Sequence, residues 1–184
     1  AGIKYWLFSY TDLFGYQRAK LVPIQAVESM LKDGAGFAGF ASWLDLSPAD
    51  GDLMAIPDLQ SAIILPWKPE VLWVACDLFL EGVPLKQSPR FVLKNLISKS
   101  MERGFLMKSG IEAEFFLLEQ DGQNISDLSD NAEKPCYDQT ALMRRYDVIS
   151  EICDYLCDLG WEPYQNDHED ANGQFEMNWD FSDC

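Results

Sequence analysis

The chain has 184 residues, 48% hydrophobic and 24% charged, a globular balance that excludes a disordered tail, a collagen or a coiled coil. Lys and Arg total 14 against 30 Asp and Glu, a formal net charge of −16. That excludes the basic surface a nucleic acid or an anionic membrane would require, and no apolar run approaches the ~20 residues needed to span a bilayer.

Residues 3–9 are rich in β-branched and aromatic types and predict a strand. Asp12-Leu13-Phe14-Gly15 is a turn, and residues 18–22 return as the second strand of a hairpin. Pro23 opens a helix to about Leu31, closed by Asp33-Gly34. Residues 34–51 read as a long loop beginning Gly34-Ala35-Gly36-Phe37-Ala38-Gly39-Phe40. Its glycines allow close approach to another surface, and Phe37, Phe40 and Trp43 suit a partner. Residues 34–45 are therefore expected to pack poorly against their own domain and to face a neighbouring subunit. Short strands follow near 52–56, 61–65 and 71–77, separated by turns at Pro57, Pro66 and Pro69.

Pro84 to Pro89 reads as a linker. Phe91, Leu93, Leu96 and Ile97 predict a helix over 90–104. Residues 111–118 predict a strand and 119–139 a polar loop. Leu142, Tyr146, Ile149, Ile152, Cys153, Leu156 and Leu159 share one face of a helix over 140–159, ended by Gly160. Strands are expected at about 161–166 and 173–179. The reading is α+β: a mixed domain over 1–84, then α/β units over 85–184 that stop after two or three strands. An unfinished sheet implies the N-terminal part of a longer protein.

Cys76, Cys136, Cys153, Cys157 and Cys184 are scattered, odd in number and without CxxC spacing. Reduced thiols are expected, as is a cytoplasmic location, since the opening Ala1-Gly2-Ile3-Lys4 has no secretion pattern. Cys153 and Cys157 are four apart on a helix and read as core packing.

The acid is concentrated. Ser109 to Glu133 holds seven acidic residues and Gln165 to Cys184 holds six, with no Lys or Arg in either stretch. Glu112 and Glu114, two apart on a strand, point to one face, where like charges repel unless a cation neutralises them. Glu169 and Glu176 are seven apart with Gly173 between them, so the chain can fold back and bring both carboxylates together. Such clusters serve divalent cations or form solvated acidic edges.

The strand Glu112-Ala113-Glu114-Phe115-Phe116, a helix ending in Gly160, and then His168-Glu169 followed by Gly173-Gln174-Phe175-Glu176 resemble the glutamine synthetase family. Earlier matches are Asp12 to Gly15, Lys20, Pro23, the Asp52 to Asp58 stretch and Ser88-Pro89-Arg90. The runs Gly34 to Phe40 and Asn166 to Trp179 are most similar to the type III-like branch that includes γ-glutamylmethylamide synthetase.

The resemblance implies a β-grasp N-terminal domain and a catalytic domain beginning near residue 88. It implies two or three Mg²⁺ or Mn²⁺ ions and ATP, with glutamate and a small amine or ammonia as substrates. By motif position Glu114, Glu169 and Glu176 resemble the ligands of the ion serving glutamate and the amine, and Glu112 a ligand of the ion on the nucleotide phosphates. Stacked rings, a dodecameric homo-oligomer with sites between subunits, follow from the same resemblance. Ammonia-using members carry an aspartate after the first phenylalanine of the glycine loop, and that position here is Ala38. Alanine neither attracts a cation nor accepts a proton, and it leaves space for an N-alkyl group. The function implied is ATP-dependent ligation of glutamate to methylamine or ammonia. The alternatives are a non-catalytic paralogue acting as a binding or regulatory subunit, and a plain acidic cation-binding module.

Overall fold

The computed structural model describes residues 2–183, and by packing the chain divides into two units at Leu106/Met107. In the first unit, β1 (Tyr5–Thr11) and β2 (Gln17–Pro23) form an antiparallel hairpin. Buried Asp12 closes its turn, accepting the Phe14 and Tyr16 N–H groups at 2.8 and 3.0 Å and pairing with Arg18 at 2.7 Å. Helix α1 (Ile24–Asp33) starts directly after Pro23, whose fixed φ suits a helix entry. It ends at Gly34, where φ is +83° and an added Cβ would stand 2.8 Å from Ile56 Cδ1. Only glycine fits there.

β3 (Ala35–Phe37), β4 (Leu53–Pro57), β5 (Ile63–Ile64), β6 (Val71–Leu80) and β7 (Val83–Pro84) complete the strands of this unit, and α2 (Pro89–Glu102) follows. The sheet order is β2-β1-β6-β4-β3, with β1 parallel to β6 and β5 and β7 paired to β6 off this path. β6 lies in the middle of the sheet, which is why Val74, Ala75, Cys76 and Leu78 are buried in a nearly unbroken apolar run. Phe8, Val27, Leu53, Ala55, Val74 and Cys76 form the core. Burial pushes the Cys76 thiol up to about 12, so it packs as an apolar group.

Two expectations change. The segment after Gly34 is not one loop: Ala35–Phe37 is an edge strand on β4, and a 3₁₀ turn covers Gly39–Ala41. Nor does it pack poorly on its own unit. Leu44 is 0% exposed, and the Ser42, Trp43 and Leu44 carbonyls accept from Tyr10 Oη, the Leu13 N–H and Gln87 Nε2. Of its aromatic side chains, Phe40 (61% exposed) and Trp43 (55%) project. Second, the stretch from Pro84 to Pro89 is packed structure, with Leu85 and Ser88 buried. Helix α2 belongs by packing to the first unit, because Arg90 and Lys94 pair with Asp77 at 3.0 and 2.7 Å. By packing, the first unit runs to Leu106.

The second unit contains β8 (Lys108–Ser109), β9 (Glu112–Phe116), α3 (Gln139–Arg144), α4 (Tyr146–Asp158), β10 (Gln165–His168), β11 (Gln174–Asn178) and β12 (Ser182–Asp183). β10, β11 and β9 form an antiparallel sheet in that order, and β8 pairs with β12 in a separate ribbon. Phe115, Phe175 and Met177 turn one sheet face to Leu142, Ile149, Ile152, Cys153 and Leu156 of the helices.

The helix expected over 140–159 is broken at Arg145 (φ −110°, ψ 12°), whose guanidinium reaches the Ser126 carbonyl. Apolar periodicity survives such a one-residue break and does not register it. Asp138 caps α3 through the Thr140 and Ala141 N–H groups. After α4 the Gly160 and Trp161 N–H groups return to the Cys157 and Leu156 carbonyls. This turn and Pro163 delay pairing, so β10 starts at Gln165 rather than 161. Cys153 is half-buried against the Asn166 amide, whereas Cys157 is exposed and outside the core. Cys184 lies outside the described residues.

Candidate metal centre

The three-stranded sheet has a wet face opposite its helices. Strand alternation places Glu112 and Glu114 of β9 there with Gln174, Glu176 and Asn178 of β11. Glu114 lies directly opposite Glu176, and Glu176 directly opposite Asp167 of β10. Three carboxylates therefore run in one row across the sheet. Glu169 sits just beyond β10, its N–H donating to the Gln174 carbonyl at 3.0 Å. This turn brings it back over the row. Oxygens of Glu114, Glu169 and Glu176 all lie within 4.8 Å of one another.

Of the four glutamates singled out by the sequence, the structure brings three together and leaves Glu112 outside. Glu112 is exposed and stands opposite Asn178, two pairs further along the ladder. Two residues along a strand amount to ~6.6 Å, more than one small ion bridges.

Electrostatics mark the cluster as incomplete in itself. Burial pushes the Glu176 carboxyl up to about 7, with Glu169 and Asp167 adding to the rise and only Asn178 opposing it. Burial and Glu169 also raise Asp167, whose Oδ1 is buried without a partner. Among the described residues none of Glu114, Glu169 and Glu176 forms an ion pair with a lysine or arginine. The neighbour that answers Glu114 is the Gln174 amide, which donates to it at 2.6 Å.

The donor set fits a hard cation. Carboxylates offer only oxygen, the ligand of Mg²⁺, Mn²⁺ and Ca²⁺. Oxygens bound to one such ion at ~2.0–2.6 Å stand at most roughly 4–5 Å apart, the spacing found here.

Sequence reasoning missed Asp167 as a member of the row, because its place opposite Glu176 is set by the β10–β11 register, which no local spacing announces. It also missed a buried pair behind the site. His168, 0% exposed, approaches Asp130 Oδ2 at 2.6 Å through Nε2. No local spacing announces a partner 38 residues away.

Residues 86–184 match the family described as the glutamine synthetase catalytic domain. A glutamine synthetase of Rhizobium meliloti (strain 1021) is 62% identical over all of this chain, which spans 42% of that protein. A glutamate–methylamine ligase of Methyloversatilis universalis is 38% identical over 99% of this chain and 42% of its own length. A solved structure described as a GmaS/ADP complex superposes with a TM-score of 0.95 at 60% identity, covering 99% of this chain and 42% of that one. The chain spans less than half the length of each of these relatives. The E-x-E strand, the turn that returns Glu169 to Glu176, and a match over more than half of the residues agree: this chain belongs to the glutamine synthetase family.

Proposed function

We propose that the protein carrying this chain is an ATP-dependent ligase that joins the γ-carboxylate of L-glutamate to a small amine. The observation that carries this reading is the convergence of Glu114, Glu169 and Glu176, none of which, among the described residues, pairs with a lysine or arginine. The γ-carboxylate attacks the γ-phosphate of ATP, ADP leaves, and the amine displaces phosphate from γ-glutamyl phosphate. Mg²⁺ or Mn²⁺, when bound, supplies the positive charge that draws these anionic groups together and offsets charge developing on the phosphoryl oxygens.

Glu114, Glu169 and Glu176 would hold the ion on the glutamate and amine side. Glu112, on the same strand but outside their cluster, would serve the ion on the nucleotide phosphates. Gln174 fixes Glu114 by its amide hydrogen bond, so one ligand is oriented before any ion arrives. With its carboxyl pushed up to about 7, Glu176 is partly protonated near neutral pH in the ion-free site and would give up that proton as a cation binds.

The domain reading belongs to the same proposal. Residues 1–84 form a β-grasp domain and residues 85–184 begin the catalytic domain. The β1–β2 hairpin, the helix after it and a β6 parallel to β1 support the first. The family match from residue 86 supports the second. Stacked rings of subunits and a cytoplasmic location complete the reading; no described helix is long and apolar enough to cross a membrane.

The amine is methylamine in preference to ammonia. Ala38 is exposed in extended backbone just before the 3₁₀ turn, and its methyl group neither attracts ammonium nor takes a proton from it. The test is product and phosphate formation by the full-length protein with glutamate, ATP and Mg²⁺ and each amine in turn. A higher kcat/KM for methylamine is expected, with Ala38→Asp narrowing the ratio within the roughly 10–200-fold range of one methyl-sized contact. Preference for ammonia, unchanged by Ala38→Asp, would make glutamine the product. No phosphate release with either amine would leave the non-catalytic subunit as the reading.

A further inference from the structure

We propose that Asp130 and His168 are a buried positioning pair that holds the Glu169 turn in place and so sets the geometry of the three-carboxylate site. This inference rests on the cation-site reading above.

Asp130 comes from the 119–139 loop and is 3% exposed, and His168 is fully buried. Asp130 Oδ2 meets both ends of the turn between β10 and β11. It accepts the Gly173 N–H at 2.5 Å, and it lies 2.6 Å from His168 Nε2. The other ring nitrogen, Nδ1, is 2.8 Å from the Glu169 carbonyl oxygen. A carbonyl only accepts, so Nδ1 donates. The Glu169 N–H is committed as well, to the Gln174 carbonyl. Both backbone groups of this ligand are therefore held, one of them through His168 from Asp130.

The loop that supplies Asp130 is itself anchored. Asp127 pairs with Arg144 at 2.5 Å, and the Arg145 guanidinium donates to the Ser126 carbonyl. The break between α3 and α4 thus connects, through residues 126–130, to the turn that carries Glu169. Ile125 presses on the same turn: a Cβ on Gly173, where φ is +78°, would stand 2.6 Å from Ile125 Cγ2.

Packing alone would not keep such a pair. A carboxylate buried with Oδ1 unpartnered costs desolvation that an apolar residue of similar size avoids. What the pair supplies is direction. It joins two ends of a turn to an outside loop through groups of fixed geometry, and the residue so fixed is a cation ligand.

The test uses full-length protein stripped of divalent ions and titrated with Mn²⁺, with calorimetry or the signal of free Mn²⁺ as the readout. Glu176→Gln, which removes a ligand, is the reference. Asp130→Asn keeps the volume and weakens the tether, and its Mn²⁺ affinity is expected to fall 10–100-fold, the range for partners of metal ligands. In assays the KM for Mn²⁺ should rise by the same factor, with kcat at saturating Mn²⁺ within about twofold of wild type. A merely structural residue would not give that split. Should Asp130→Asn fail to fold, Asp130→Leu with His168→Phe replaces both polar partners together, and the same loss of Mn²⁺ affinity is expected from a folded protein. Wild-type Mn²⁺ affinity in a folded variant, with Glu176→Gln unable to bind, overturns the positioning role. Unchanged binding by Glu176→Gln overturns the cation site itself.

Discussion

Two acidic clusters, one in each unit, are built on opposite terms. In the first, Asp58 and Asp77 meet Arg90 and Lys94: Arg90 bonds both aspartates, and Lys94 lies 2.7 Å from Asp77 and 3.6 Å from Asp58. Burial acts to raise the Asp58 carboxyl, but the Gln60 N–H, Arg90 and Lys94 outweigh it and hold it below the usual range. In the second, Glu114, Glu169 and Glu176 crowd together and, among the described residues, pair with no lysine or arginine, and Glu176 is pushed up to about 7. A cluster that carries its own counter-charge fastens a helix to a sheet. One that lacks it is costly until a cation arrives from outside.

The sharpest way to break this comparison is to remove one charge from each cluster and titrate with Mn²⁺. Glu176→Gln in the full-length protein should weaken Mn²⁺ binding more than about 100-fold, since losing a mere partner of a ligand already reaches that range. Ligation should fall with it while the fold is kept. Binding at wild-type strength would mean that the crowding of these carboxylates serves no ion.

Next in size is an effect of pH on the ion-free protein. The folded Glu176 carboxyl is raised from 4.5 to about 7, so its neutral form favours the fold. That contribution is fully present below pH 4.5 and is lost as pH rises through 7. Asp167, raised from 3.8, acts in the same direction. Lowered carboxylates such as Asp12 and Asp58 act oppositely, but below their ordinary 3.8, outside this window. Stability should therefore fall by about 1–3 kcal/mol between pH 4.5 and 8, and saturating Mg²⁺ or Mn²⁺ should restore it. Unfolding midpoints at both pH values, with and without the ion, check this. A flat profile, or one that the ion leaves unchanged, would remove the electrostatic half of the comparison.

The same contrast shows what a sequence can carry. Local features were legible: the first hairpin, α1 ending at Gly34, and the alternation that puts Glu112, Glu114 and Glu176 on one face. Alternation reports a face but no distance across it. Glu114 falls opposite Glu176 and joins the cluster, while Glu112 falls opposite Asn178 and does not. The glycine segment misled for a related reason. Its place is set by Tyr10, Leu13 and Gln87, contacts from far along the chain that leave no local pattern. Asp130 looked like one more acid in a polar loop until its partner 38 residues away was in view.

The smallest expected effect comes from the self-neutralised cluster. Arg90 stands in the first turn of α2, where a cation opposes the helix dipole, so its place there rests on Asp58 and Asp77. Arg90→Ala leaves both aspartates to share Lys94, yet it also relieves the dipole. All four side chains are partly exposed, so solvent screens what remains. The net loss should be about 1 kcal/mol at low salt, smaller at ~1 M salt where the Debye length shrinks to ~3 Å. Denaturant unfolding of the full-length protein at two salt concentrations measures it. Because the second cluster owes nothing to this cation, Mn²⁺ affinity should stay at the wild-type value. A fall comparable with that of Glu176→Gln would show that the two clusters do not act independently, and the comparison would fail.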